Sequence, residues 1–164
     1  NVSRFTSSPA TWTAAATIGL HNQRISAQLG YLYGVMVWAG VCYGQQTQVD
    51  FIDGVLNAQR CRDEILRPTV VPFIHDHHLM LQHDNAWPHV ARICTQFLEA
   101  ENIPVLAWPT YSPDMSPIVH VWDALDWRIR QRVPVPANVQ QLRTAIEEEW
   151  TNIPQGTINN NQEP

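Results

Sequence analysis

The sequence predicts a mixed α/β domain, and three observations carry that reading. An apolar run, Val35 to Tyr43, is followed after a Gly by a second short run, Thr47 to Ile52, which reads as a buried hairpin. Two further short apolar runs, Leu79 to Asp84 and Ile103 to Trp108, are each followed by a proline-opened helical pattern. The chain then ends in helical periodicity. Strands come first, then helix, strand, helix, strand, helix, helix, which is an α/β order without regular double winding.

The elements follow in order. Residues 1 to 34 are rich in Ser, Thr and Ala, with poor periodicity, and offer two weak strands at most. The first clear strand ends at Gly44 and its partner at Asp53-Gly54. Asn57 is placed to cap a helix to about His75, with Ala58, Cys61, Ile65, Thr69 and Phe73 on one stripe. Pro68 and Pro72 should kink or divide it. Pro88 opens a helix with Val90, Ile93, Cys94, Phe97 and Leu98 inward, ending near Asn102. Ser116 and Pro117 start another, with Ile118, Val121, Trp122, Leu125 and Ile129 inward, stopped by Pro134 and Pro136. Asn138 with Gln141 resembles a capping box for a last long helix presenting Val139, Leu142, Ile146 and Trp150. A short helical start at Ile153 gives way to polar residues at Asn159.

Composition bounds the function. The chain has 164 residues, enough for one domain with a real core. Its 45% hydrophobic content argues against disorder. All ten basic residues are Arg, and the net charge is −5. Self-sufficient nucleic-acid binders usually have a domain pI above about 9, so an autonomous DNA-binding module is disfavoured. A DNA-processing core that takes its affinity from another domain is not. Three widely spaced cysteines, Cys42, Cys61 and Cys94, fit a reducing compartment better than a disulfide framework. No apolar run approaches the ~20 residues of a membrane helix, and no secretory signal is visible. The chain opens on Asn1 and reads as a fragment.

Chemistry concentrates at two strand–helix junctions. Asp84-Asn85-Ala86-Trp87-Pro88-His89 forms the first, where an open α/β sheet places its ligands. An Asp there can simply cap the following helix. The second junction runs from Trp108 to Trp122: Trp-Pro-Thr-Tyr-Ser-Pro-Asp-Met-Ser-Pro-Ile-Val-His-Val-Trp. The pair, in this order, resembles the catalytic domain of Tc/mariner-superfamily DDE transposases, within the ribonuclease H-like and retroviral-integrase group. The hairpin, the helix after Asn57 and Glu147 to Ile158 resemble that family too. The resemblance covers roughly Val35 to Ile158, and residues 6 to 34 follow it poorly.

The resemblance implies a ribonuclease H-like fold and Mg- or Mn-dependent DNA cleavage and strand transfer. Such chemistry uses two divalent ions, one at the attacking oxygen and one at the leaving oxygen, held by three carboxylates. Asp84 matches the second acid. Thirty-four residues separate Asp84 from position 119, the family's spacing to its last acid, and position 119 is Val119. The first acid is followed in the family by Glu-Ser-Arg-Phe; here Asn1-Val2-Ser3-Arg4-Phe5 puts Asn1 in its place. Two of three acids are therefore expected to be lost. Asp123 lies one turn beyond Val119, about 5.4 Å along the helix, too far to substitute without moving the ion. Asp114 resembles the family's loop aspartate.

Other residues have bland readings beside the sharp ones. His75, His77, His78, His83 and His89 suggest zinc, but nothing in their spacing makes three converge. His89 and Asn85 fall in the family motif, as DNA contacts or as supports of the site. Arg128, Arg130 and Arg132 are candidate phosphate contacts on a helix or a solvated face. Trp38, Trp122 and Trp150 fall on apolar faces, and the cysteines read as buried.

The expectation is a single domain over residues 1–164, without its N-terminal DNA-binding region and most of its first strand, and catalytically defective. Weak non-specific DNA binding, a homo-oligomeric full-length ancestor, a nuclear location and no membrane are expected with it. The alternative is a transposase-derived nucleic-acid-binding or protein-interaction module without catalysis.

Overall fold

The computed structural model describes residues 11–14, 35–83, 87–106 and 117–159. Strand β1 (Thr11–Ala14) pairs antiparallel with β3 (Gly40–Cys42) and parallel with β6 (Met80–Gln82). Strand β4 (Gln45–Gln46) flanks β3, giving the order β4-β3-β1-β6. A parallel bridge from Leu81 to Val105 extends the sheet beyond β6. The strand expected at Ile103 to Trp108 is thus a single bridge among the described residues; Pro104, which lacks a donor, adjoins it.

The predicted hairpin forms with a break. Strand β2 (Met36–Trp38) pairs with β5 (Asp50–Ile52), so that Trp38 faces Asp50. Further on, Val41 faces Gln46, so the return strand holds one extra residue. Thr47 fills this bulge: its N–H donates to the Gly40 carbonyl at 2.9 Å, and its Oγ1 accepts from the Gly40 N–H at 2.8 Å. Gly44 turns the hairpin with φ 77°, a left-handed angle that glycine adopts without Cβ strain.

The hairpin is apolar on both faces, and alternation divides it between two cores. Trp38, Cys42 and Ile52 join Leu81 and the helices that follow the hairpin. Val37, Ala39 and Val41 pack against the C-terminal helices.

The helix capped by Asn57, whose Oδ1 accepts from Arg60 N–H at 2.9 Å, is not divided by its prolines. Helix α1 (Ala58–Arg60) passes into a π-helical stretch, Cys61–Val70, and then into α2 (Val71–His77). Pro68 sits inside the π stretch. Its ring crowds the carbonyl four residues back and it has no N–H to give; a wider turn accommodates both. His78, at φ 55°, ends the run. The helix at Pro88, by contrast, is split: α3 (Trp87–Val90) stops at extended Ala91, and α4 (Arg92–Ala100) starts afresh.

Helix α5 (Pro117–Arg130) buries the five residues expected: Ile118, Val121, Trp122, Leu125 and Ile129. Helix α6 (Val139–Thr151) begins at an Asn138 cap, and Gln141 reaches one residue beyond that cap instead of closing the expected capping box. Asn138 Oδ1 accepts from Gln141 N–H at 2.8 Å, and Gln141 Oε1 accepts from Ala137 N–H at 2.7 Å. Helix α7 (Gln155–Asn159) closes the second core through Ile158. Trp150 stacks on Trp122, with ring centroids 5.1 Å apart. Its Nε1 donates to the Thr47 carbonyl at 2.8 Å, tying α6 to the bulge. Among the described residues, no helix is long and apolar enough to cross a membrane.

Candidate active site

The site expected from sequence lies where β6, α3 and α5 begin or end. Strand β6 stops at Gln82, and α3 starts at Trp87. Asp84 and Asn85 between them lie outside the described residues, as do Asn1, Asp114 and the Trp87 side chain. The described residues fix the frame. Strand β1 lies beside β6 in parallel, with Thr13 opposite Gln82, and α5 packs against β1. The neighbour of β6 therefore comes from Thr11–Ala14, a segment with no carboxylate.

Val119 lies in the first turn of α5, as the sequence predicted. It is 38% exposed, while Ile118 and Val121 beside it are 1% and 0%. The core does not require an apolar side chain at 119, and a β-branched residue there has no helix-propensity advantage. Asp123 is exposed one turn on, and Trp127, 63% exposed, follows another turn later.

His89 is on α3 but faces inward. It is 4% exposed, and its Nδ1 lies 3.5 Å from Cys61 Sγ. Its ring centroid is 5.7 Å from that of His83. Burial pushes its pKa down to about 4, with a further push from His83, so the ring is neutral at pH 7. The remaining histidines diverge. His75 Nε2 meets the Glu101 carbonyl at 3.2 Å, and His77 Nδ1 meets the Phe73 carbonyl at 2.8 Å. Among the described residues, no three His, Cys, Asp or Glu side chains stand ready to hold a metal ion.

The basic run is engaged within the protein. Arg128 Nε lies 2.8 Å from Glu149 Oε2, and Arg130 Nε lies 2.7 Å from Asp126 Oδ2. Arg132 reaches Glu148 at 2.6 Å and Glu149 at 2.8 Å. Arg60, Arg62, Arg67 and Arg143 likewise pair with carboxylates. These acid partners were missed in the sequence reading. Arg130 with Asp126 has helical i,i+4 spacing, but Arg128 with Glu149 needs two helices to meet.

Comparison with known proteins is consistent with this geometry. A family described as DDE superfamily endonuclease matches residues 4–143. The match takes in residues 6 to 34, which follow the family's motifs poorly. The Tc3 transposase of Caenorhabditis elegans is 24% identical over 127 residues, which are 76% of this chain and 38% of that protein. The Tcb2 transposase of Caenorhabditis briggsae is also 24% identical, over 76% of this chain and 45% of its own length. The chain thus spans less than half of these curated relatives. Among solved structures, the Mos1 transposase catalytic domain with raltegravir and Mn superposes with a TM-score of 0.68 at 16% identity, covering 93% of this chain and 75% of that one. The Mos1 strand transfer complex gives 0.69 at 16% identity, over 93% and 50%. With the mixed sheet, the helices on both faces and the two junction motifs, these matches place the chain in the DDE superfamily endonuclease family, as a Tc/mariner-type transposase catalytic domain of ribonuclease H-like fold.

Proposed function

We propose that this domain is built for metal-dependent DNA cleavage and strand transfer but does not perform them in this chain. The exposed Val119 at the start of α5 carries the proposal. An apolar residue that packing does not require stands where the family's last acid belongs. The β1 segment beside β6 offers only Thr, Trp, Thr and Ala, and Asn1 is neutral.

Mos1 has been solved with Mn and with Mg. The residues here do not fit such a pair of ions. Asp84 alone opposes four positive charges, and Val119 presents methyl groups in place of a ligand oxygen. In this reading residues 1–164 form one domain, and DNA is a weak, non-specific partner. A nuclear location and a homo-oligomeric full-length ancestor go with it; Mos1 has been solved as a paired-end complex with a transposon end.

The runner-up is a fold kept for binding without catalysis. Exposed Trp127, Val133 and Val135, on and just after α5, favour it by offering apolar surface to a protein partner. Nicking of supercoiled DNA with Mg²⁺ or Mn²⁺ tests the main reading. The expected result is none above background. Metal-dependent nicking abolished by Asp84→Ala would overturn it.

A further inference from the structure

Cys61 and Cys94 are both fully buried, 33 positions apart in sequence, on neighbouring helices. Cys94 Sγ donates to the Ala58 carbonyl at 3.3 Å, one turn before Cys61 on the same helical run. The neighbouring Cys61 thiol is the main influence that holds the Cys94 pKa below the usual thiol value. On its other side, Cys61 Sγ meets His89 Nδ1 at 3.5 Å. Two thiols and a neutral imidazole thus form a chain between α4, the π stretch and α3. A small cavity lined by Trp38, Leu81, His83 and His89 adjoins the imidazole. Cys42 lies elsewhere: its thiol turns toward the Tyr43 carbonyl at 3.9 Å, and burial pushes its pKa up to about 11.

We propose that Cys61 and Cys94 are an intramolecular cross-linking site, oxidised by peroxide to a disulfide that ties α4 to the Asn57-capped helical run. In the Nε2-protonated tautomer, His89 Nδ1 accepts the Cys61 S–H as a hydrogen bond while the sulfur attacks one peroxide oxygen. The O–O bond breaks, the leaving hydroxide takes the Cys61 proton, and a sulfenic acid and water result. The Cys94 thiol then attacks the Cys61 sulfur, the S–S bond forms, and the sulfenic oxygen leaves as a second water. Two thiols and one hydrogen peroxide become one disulfide and two waters. The product no longer has an S–H to donate to His89, and it constrains the unfolded chain by a 33-residue span.

Hydrogen peroxide treatment of the folded, unaltered chain tests this. Thiols are counted after quenching and denaturation, and non-reduced peptides are mapped by mass. The expected result is loss of two of the three thiols, a Cys61–Cys94 linked peptide lighter by two hydrogen atoms, and a higher melting temperature that dithiothreitol reverses. Cys42→Ser should give the same link. His89→Gln should slow its formation several-fold without changing the product; an unchanged rate in a folded variant would remove His89 from the step. Three intact thiols after an exposure that oxidises glutathione fully would overturn the proposal. So would a bond to Cys42 or between chains, or oxidation of single cysteines without a link.

Discussion

Arg128 Nε lies 2.8 Å from Glu149 Oε2, and this contact joins α5 to α6. Glu149 also binds Arg132, so one carboxylate, with Glu148 beside it, engages two of the three arginines in the basic run. A guanidinium held by a carboxylate has less to offer a phosphate.

The chain should therefore bind duplex DNA weakly, with a shallow dependence of affinity on salt. Glu149→Gln should raise affinity at low salt and steepen the slope of log K against log[salt] by about 1, as a phosphate contact becomes available. It should also cost about 1 kcal/mol of stability, since the pair is only partly exposed. Fluorescence anisotropy across a salt series measures both slopes. A nanomolar, sequence-specific complex of the unaltered chain at physiological salt would contradict the first expectation.

Acid should destabilise the fold through His89. Its folded pKa is depressed to about 4 by burial and then by His83, against 6.5 when free. The fold favours the neutral ring. Its cost is absent above about pH 6.5 and grows as pH falls toward 4, because the unfolded chain binds the proton first. The difference approaches about 3 kcal/mol at the acid end, at 1.36 kcal/mol per pH unit. Urea unfolding at pH 7.5 and 4.5 should show it, and His89→Gln should flatten the dependence in that window. An equally steep loss in the variant would place the titrating group elsewhere.

The two stacked tryptophans should respond differently to loss of the indole N–H. Trp150 Nε1 donates to Thr47, so Trp150→Phe leaves a buried carbonyl unpaired at the bulge, costing about 1–3 kcal/mol beyond lost packing. Trp122 Nε1 is buried without an acceptor among the described residues. Trp122→Phe should lose packing but relieve an unsatisfied donor, and so cost less. Thermal melts of the two variants compare them directly; equal losses would mean that the Thr47 bond contributes nothing.

Much of this architecture was legible because periodicity reports burial. The inward faces of α5 and α6 and the alternating hairpin follow from apolar spacing, and the Asn138 cap follows from local side-chain chemistry. What was not legible depended on contacts between distant segments. Thr47 gave no local sign that it would bulge against Gly40 and receive Trp150. Pro68 was expected to kink or divide its helix, because π geometry has no sequence pattern of its own. Val119 was located by a motif, but its exposure depends on how α5 packs. His89 was located in the same way, and its inward rotamer toward Cys61 followed only from packing of α3 on the π stretch.

On the proposed reading, the unaltered chain should show no Mg²⁺- or Mn²⁺-dependent nicking, and a carboxylate at position 119 should bring back metal affinity. Val119 stands in the first turn of α5, exposed, so a glutamate fits there without disturbing the core. At the third helical residue it would also favour the helix N-terminus. Val119→Glu with Asp84 should hold one ion weakly, since two carboxylates provide oxygen ligands for a single dication. Asn1→Asp adds to this only if residue 1 is held beside β6, where Thr11–Ala14 sits; an added N-terminal strand is therefore part of that variant. Mn²⁺ calorimetry should show no binding by the unaltered chain, weak binding by Val119→Glu, and tighter binding by the extended double variant. Nicking is expected only of the last, because in-line displacement needs charge at both the attacking and the leaving oxygen. No gain in Mn²⁺ affinity from a folded Val119→Glu would mean that position 119 never belonged to the site. Nicking by the unaltered chain that survives Asp123→Ala but not Asp84→Ala would point to a ligand outside α5.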